Sequence, residues 1–362
     1  GKAGTWLLDP SNAQPTALTQ AAFQTVLTAG NNAVYVASTN ISAPAMSLFS
    51  PGGILNVTFD TSAVSKVNIS LGAITDTSSV SGAGINVNAI SSGGAITSAG
   101  MTVKGSVVLD NTYQAGVANS SGYLNYSTMV SGGNTVAGAG LILNGAISAG
   151  NAVTINGVGL LMSLTSNITS STIQSGGGIS LSYTNSSGHA ISVKGNPVFT
   201  SGTTLIAGGD ITLHSKSAGW AFSNFGNTPT YNLALTAYGA NVYVGTLANP
   251  IWGAQAAFAS SAIGIVKAYT QGIPGAGNIN FYGYSGLSYS GVLIGSPVTA
   301  DQNIVINGAD DNSGGAAAVS LNAAIKANNG SVSITAVSVG SQAVLASAAG
   351  SITAATTVTI DS

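Results

Sequence analysis

The chain has 362 residues, a formal net charge of -2, and only 4% charged residues. Its seven cations are all Lys and its nine anions are all Asp, and the sequence contains no Arg, Glu or Cys. Soluble domains carry roughly 25% charged residues and helices expose Glu, Lys and Arg, so this composition excludes an ordinary helical protein, and the lack of basic clusters excludes nucleic-acid and anionic-membrane binding.

The remaining composition favours a large β-rich core with a neutral polar surface. The chain has 49 Gly and is 45% hydrophobic, and Val, Ile and Thr, which disordered chains lack, are dense throughout. No apolar run approaches the ~18 residues of a membrane helix, so we expect no membrane span. The sequence does not open at Gly1 with the basic, apolar and cleavage-site pattern of a signal peptide. We expect any signal peptide to have been removed or to lie upstream.

The first forty residues differ from the rest and predict one helix and one strand. In residues 16–30 the apolar side chains recur on one helical face, and Gly30 is placed to end the helix. Residues 33–37 then alternate as a strand. We interpret residues 1–40 as a segment that caps an otherwise exposed sheet edge. The apolar face of the helix comprises Leu18, Ala22, Phe23, Val26 and Leu27.

From residue 41 to residue 362 a short phrase recurs, in which small turn residues precede an alternating apolar strand. This sequence pattern predicts one continuous domain, a β-solenoid. The phrase occurs at residues 53–57, 84–88, 100–104, 140–144, 152–156, 178–182, 210–214, 278–281, 303–307, 331–335 and 351–354.

The physical reason for a solenoid is that no coil can bury its apolar positions alone. Stacking at ~4.8 Å pairs each strand with the strands above and below it. We expect coils of about 20 to 25 residues, with Ile, Val and Leu inward, and with outward Ser, Thr and Asn forming hydrogen-bonded ladders. The predicted fold is an all-β, parallel β-helix (β-solenoid) with a short N-terminal helix.

Aromatic residues interrupt the strand rhythm between about residues 218 and 275, which predicts an insertion in the solenoid. Exposed aromatic rings stack on sugar faces or anchor protein interfaces. The candidate residues for partner or sugar contact are Trp220, Phe222, Phe225 and Trp252. The alternative is that these rings fill a widened part of the core.

The sequence offers little for catalysis or for cofactors. No nucleophile motif accompanies His189 or His214, and glycoside hydrolysis usually needs two facing carboxylates. The adjacent acids Asp310 and Asp311 lack the spacing of a calcium loop, and the glycines of residues 175–178 lack the Lys-Ser/Thr of a phosphate-binding loop. We therefore predict a protein that is not an enzyme and has no metal or cofactor.

The opening residues carry a resemblance to a known family. Gly4-Thr-Trp-Leu-Leu-Asp-Pro-Ser-Asn12, the following helix and Gly30-Asn-Asn-Ala-Val-Tyr-Val36 resemble a segment of filamentous-haemagglutinin-like exoproteins, which use two-partner secretion. The resemblance implies a right-handed parallel β-helix, an outer-membrane secretion partner and an extracellular or outer-surface location. The amino-terminal secretion domain of that family is not in the sequence, which implies an interior or processed segment.

Together these features predict a structural β-solenoid that acts in adhesion, biofilm or extracellular fibre formation, with a host or surface ligand or a second copy, stacked head to tail, as its partner. Three alternatives stay open. A carbohydrate-active or carbohydrate-binding β-helix would require a carboxylate cluster or a sugar-contact surface. An ice-binding or mineral-binding solenoid would require regular Thr-x-Thr ladders on one flat face. A passive filament subunit would differ from an adhesin only in having itself as its partner.

Overall fold

A computed structural model of the chain shows a stack of mostly parallel β-strands with one short helix. It describes residues 12–65, 67–92, 94–111, 128–131, 134–137, 141–157, 160–162, 172–175, 179–183, 198–199, 204–215, 233–245, 251–252, 263–285, 290–310, 317–339 and 342–362. The all-β solenoid with a short N-terminal helix, predicted from the strand phrases, is confirmed.

Helix α1 (Gln20–Thr28) ends before Gly30 as the sequence predicts, but it begins four residues later than the predicted range of residues 16–30. Thr19 caps its start, because the Thr19 hydroxyl accepts a hydrogen bond from the Ala22 amide at 3.3 Å. Gly30 follows the helix with a φ of 78°, a left-handed conformation that glycine adopts without a steric penalty. Phe23 and Leu27, on the predicted apolar face, are fully buried.

The largest sheet, sheet 1, runs through the described part of the chain and stacks thirteen strands in sequence order. At about 4.8 Å per step, thirteen strands span roughly 58 Å. A two-residue strand, β25 (Ile251–Trp252), also pairs with β27 of this sheet. The thirteen strands are β1 (Asn12–Ala13), β2 (Asn32–Val36), β5 (Ile54–Ser65), β8 (Gly84–Ser92), β11 (Val107–Asp110), β16 (Val153–Gly157), β19 (Ile179–Tyr183), β22 (Ile211–Ser215), β24 (Val242–Val244), β27 (Ile279–Ser285), β30 (Ile304–Asp310), β33 (Val332–Ser338) and β36 (Val358–Asp361).

Sheet 2 contains eleven parallel strands and forms a second side of the stack. Its strands alternate in sequence with those of sheet 1, so each coil contributes to both sheets. They are β4 (Met46–Leu48), β7 (Ile74–Asp76), β10 (Met101–Val103), β15 (Ile147–Ala149), β18 (Thr172–Ser175), β21 (Thr204–Ala207), β23 (Leu233–Tyr238), β26 (Ile263–Tyr269), β29 (Val298–Ala300), β32 (Ile325–Ala327) and β35 (Ile352–Ala354).

In the described coils, a third strand lies between the sheet 1 strand and the sheet 2 strand. These third strands form two shorter sheets. Sheet 3 serves the earlier coils and sheet 4 the later ones. An antiparallel hairpin, β12 (Thr128–Ser131) and β13 (Asn134–Ala137), lies outside the stack. Sheet 3 comprises β3 (Ile41–Ala43), β6 (Ile69–Leu71), β9 (Ile96–Ser98), β14 (Leu141–Leu143), β17 (Leu160–Met162) and β20 (Val198–Phe199), and sheet 4 comprises β28 (Val292–Ile294), β31 (Val319–Leu321) and β34 (Val344–Ala346).

The coils are less uniform than the predicted length of about 20 to 25 residues. Val87 pairs with Val107, a step of 20 residues, whereas Val107 pairs with Val153, a step of 46 residues that contains the hairpin. Many other steps exceed 25 residues, as from Val242 to Ile279. Three strands with their corners already occupy most of a coil, so every insertion at a corner lengthens it.

The core consists of apolar columns that run along the stack. On sheet 1, one inward column is fully buried at each described position from Ala33 to Val332. Each buried Val or Ile side chain is worth about 1.5 to 3 kcal/mol relative to exposure, so stability is spread over the coils. The column comprises Ala33, Val57, Val87, Val107, Val153, Ile211, Val242, Ile279, Ile304 and Val332.

Polar ladders join the coils at the corner that precedes this column, as the sequence predicts. The Asn278 amide N–H and side-chain Nδ2 both donate to Asn241 Oδ1 at 2.9 Å, and the Asn303 N–H donates to Asn278 Oδ1 at 3.1 Å. Asn56 and Asn86 continue the same position in the earlier coils. Asn32, Asn241 and Asn278 each accept a hydrogen bond from a backbone amide of the next coil, so these amides are satisfied without introducing charge.

Candidate functional site

The structure describes one of the four predicted contact residues. Trp252 lies in β25, where it is the register partner of Tyr284 on β27. Trp220, Phe222 and Phe225 lie outside the described residues, as does His189. The described part of the predicted insertion continues the stack through β23, β24 and β26.

Sheet 1 pairs Trp252 with Tyr284, and Tyr243 and Tyr282 lie in the same sheet; we call Tyr243, Tyr282 and Tyr284 the tyrosine row. Tyr282 and Tyr284 alternate with the buried Phe281 and Gly283, so they lie on the outer face of the sheet, as Tyr243 does on β24. All three are half-buried. Strand spacing of about 4.8 Å and a rise of about 3.3 Å per residue give the row a length of roughly 14 Å.

The surroundings of Tyr243 change the pKa of its hydroxyl. Burial raises the pKa of Tyr243 above its ordinary value of 10.0, and the Asp210 carboxylate raises it further, against a lowering hydrogen bond with Asn241. Tyr282, on the outer face of the neighbouring strand, also raises this pKa. Tyr243 is thus a neutral hydrogen-bonding group at neutral pH.

A second tyrosine pair lies on sheet 2. Tyr238 and Tyr269 occupy neighbouring strands in register and stack with ring centroids 5.3 Å apart at 15°. Tyr238 is 44% exposed. This pair is not part of the tyrosine row, since it belongs to a different side of the coil.

The described ionisable residues are spread along the stack. Asp76, Asp210, Asp301 and Asp310 lie at the ends or corners of four different coils, and His214 lies in β22. Among the residues that the structure describes, no group of three His, Asp, Glu or Cys could hold a metal ion. Asp310 is buried at the end of β30, and Asp311 lies outside the described residues.

A regular Thr array, which an ice-binding solenoid would need, does not form on the outer face of sheet 2. Thr75 and Thr102 are neighbours in this outward column, but Ser148 follows them, and in the later strands Lys267 and Lys326 flank Thr299. A search of the described residues for a helix able to cross a membrane finds none.

The amino-terminal end of the stack is covered by helix α1. Gln20 Oε1 accepts a hydrogen bond from the Ser47 amide at 2.8 Å, and Gln24 Oε1 accepts one from the Phe49 amide at 2.9 Å. The Gln24 side-chain amide donates to the Phe49 carbonyl at 2.9 Å. These glutamines occupy the edge of β4, the terminal strand of sheet 2, where a further strand would otherwise pair.

The same helix closes the end of the core. The Phe23 ring stacks on Phe59 with centroids 5.2 Å apart and lies 6.2 Å from the Tyr35 ring. Leu27 is buried one helical turn further on. The helix therefore contributes both backbone hydrogen-bond partners and apolar packing at this end.

The opposite end has no such cover in the part of the chain that the structure describes. Val358 and Ile360 occupy inward columns that are fully buried elsewhere, yet here they are 45% and 52% exposed. β34, β35 and β36 are the terminal strands of their sheets. The last coil thus presents core residues and strand edges on one surface, which we call the carboxyl-terminal face.

Fold and surfaces together define a parallel β-solenoid with a helix at the amino-terminal end of the described stack and an aromatic row on its longest sheet. No protein-family model matches the chain, and comparisons with curated proteins and with solved structures found no match.

Proposed function

We propose that this chain is a structural β-solenoid of a secreted or cell-surface protein that acts in adhesion, biofilm or extracellular fibre formation. One observation carries the proposal. The apolar columns and the Asn ladder of sheet 1 repeat from coil to coil, a construction that makes a neutral rod of distributed stability.

The location rests on the resemblance of the opening residues to filamentous-haemagglutinin-like exoproteins. We propose membership of that family, export with an outer-membrane secretion partner, and a host or surface ligand. A surface of Ser, Thr and Asn with 4% charged residues suits a rod whose coils stack in register, since like charges in neighbouring coils would repel.

A non-catalytic role belongs to the same proposal. The described Asp residues are dispersed over different strands and corners, an arrangement that does not favour the two facing carboxylates of a glycoside hydrolase. We propose that the chain supports or presents a contact surface.

We propose that copies of the chain associate with each other at the ends of the rod. The carboxyl-terminal face exposes Val358 and Ile360 beside the free edge of β36, and an added strand would bury both. The predicted head-to-tail stacking would need a free edge at the amino-terminal end, where Gln20 and Gln24 bind β4. We therefore propose that, in the 362-residue chain itself, copies associate through the carboxyl-terminal face.

The cellular proposal is tested on the producing cells. Antibodies against the chain should label intact cells, and deletion of the gene should lower surface attachment or biofilm mass. Labelling that appears only after the cells are permeabilised would contradict a surface location.

A further inference from the structure

The tyrosine row lies on a face with little charge. The outward residues next to the row on β22, β27, β30 and β33 are uncharged. They are Thr212, Asn280, Val305, Asn307, Ser333 and Thr335. Asp210 lies at the corner beside Tyr243. Such a face offers no charge complementarity to an acidic glycan, a nucleic acid or an anionic membrane.

The shape of this face follows from its strand pairing. β24 and β25 both pair in parallel with β27, so Tyr243, Tyr282, Tyr284 and the Trp252 position belong to one continuous surface. Aromatic residues on a sheet form a surface, whereas small-molecule sites are usually concave. A ligand for such a surface is extended and flat.

We propose that the tyrosine row binds a neutral polysaccharide through the flat faces of successive pyranose rings. Aromatic faces stack on the C–H faces of sugars, and tyrosine hydroxyls can hydrogen-bond to sugar hydroxyls at the ring edges. Asn280, between Tyr243 and Tyr282 on the same surface, adds an amide donor and acceptor. The roughly 14 Å row is long enough to contact several rings of one chain.

A polysaccharide-binding surface on the side of the rod is a property in addition to its structural role. It is also independent of self-association, since the tyrosine row lies on the side of the stack and the carboxyl-terminal face lies at its end. A rod that does not assemble could still bind the polysaccharide.

The test is affinity electrophoresis of the 362-residue chain in native gels that contain a soluble neutral β-glucan, hydroxyethyl cellulose or xyloglucan. We expect the chain to be retarded, and Tyr282→Ala to weaken the apparent affinity about tenfold or more, because truncation of a central aromatic contact removes most of its binding energy. Tyr282→Phe should keep most of the retardation, since it keeps the stacking ring.

Tyr238→Ala is the matched control, because it removes an exposed tyrosine from sheet 2, and it should bind as the unchanged chain does. Circular dichroism should show that every variant keeps its strand content. The proposal is overturned if no neutral glucan retards the chain, if only an anionic polysaccharide does so, or if Tyr282→Ala and Tyr238→Ala behave alike. Equal loss in Tyr282→Phe and Tyr282→Ala would overturn the stacking mechanism.

Discussion

Asp76 shows how one residue ties three parts of the stack together. It lies at the end of β7 and is 9% exposed. Its Oδ1 accepts a hydrogen bond from the Ser78 amide at 2.9 Å, and its Oδ2 accepts bonds from the amides of Ile85 at 2.9 Å and Lys104 at 3.0 Å. The Lys104 ammonium in turn donates to the Ser78 carbonyl. The carboxylate thus joins a corner of one coil to the next two strands.

The charge of Asp76 has a predictable effect on stability. Burial alone would raise the pKa of Asp76, but the hydrogen bonds from Ser78, Lys104 and Ile85 outweigh it and hold the pKa below its ordinary value of 3.8. A lowered folded-state pKa contributes stability that is present above the unfolded value, about 3.9, and is lost as pH falls through the folded value.

We therefore predict that Asp76→Ala lowers the free energy of unfolding by about 2 to 3 kcal/mol at pH 7, because it leaves buried amides without acceptors. Urea unfolding followed by circular dichroism measures this, and Asp361→Asn, an exposed control on β36, should change stability by less than about 0.5 kcal/mol. The stability gap between the unchanged chain and Asp76→Asn should narrow below about pH 4. A gap that stays constant down to pH 2 would contradict this role of the carboxylate.

Gly145 is required for close approach of neighbouring coils. A Cβ atom at this position would lie 2.0 Å from the Ala99 carbonyl oxygen, and the backbone would have to move to relieve the contact. Gly145→Ala should therefore destabilise the chain by about 1 to 3 kcal/mol, as overpacking does. At Gly52 a Cβ would meet nothing within 4 Å, so Gly52→Ala is the control. Equal unfolding midpoints in urea for the two variants would contradict the stacking at this corner.

At the scale of elements, helix α1 is more than an amino-terminal extension, because its side chains replace a missing strand. Gln20 and Gln24 satisfy the edge of β4, and Phe23 packs on Phe59. An open, apolar strand edge is a template for association. The helix thus restrains association at this end of the rod.

We predict that the double variant Gln20→Ala and Gln24→Ala exposes the β4 edge without unfolding the stack. Hydrogen exchange should show loss of protection at the Ser47 and Phe49 amides, and sedimentation velocity should show more association. Gln14→Ala, at an exposed position outside the helix, should leave both properties unchanged. Retained protection at Ser47 in the double variant would mean that the glutamines do not cover the edge.

The strands themselves could be predicted from the sequence, but their places in the coil could not. Alternation separates inward from outward residues, so each strand phrase corresponds to an observed strand. It does not tell which side of the coil a strand occupies, and the phrases at residues 100–104 and 140–144 form β10 of sheet 2 and β14 of sheet 3, whereas most others lie in sheet 1. Corner lengths decide this, and they vary.

The candidate surface shows the same limit. Trp252 stands out in the sequence, but its pairing with Tyr284 follows from a short strand, β25, that the phrase pattern does not mark. Tyr243 and Tyr282 lie near each other because Val242 of β24 pairs with Ile279 of β27. These register partners are 37 residues apart, a coil length that the sequence does not reveal. Regular alternation at residues 279–285 was the available signal that Tyr282 and Tyr284 share one face.

At the scale of the whole molecule, the rod has two unlike ends and almost no charge. The amino-terminal end carries helix α1, and the carboxyl-terminal face exposes core residues. A net charge of -2 over 362 residues gives little electrostatic repulsion between copies. Association driven by apolar burial and strand pairing should therefore change little between low and physiological salt.

Negative-stain electron microscopy of the 362-residue chain over a range of concentrations tests the central claim most directly, with the double variant Val358→Lys and Ile360→Lys as its partner sample. We predict single rods about 58 Å long at low concentration, and end-to-end joined rods at high concentration for the unchanged chain but not for the variant. Compact particles without a long axis would contradict the solenoid rod. Single rods at every concentration, or equal assembly of the variant, would contradict association through the carboxyl-terminal face.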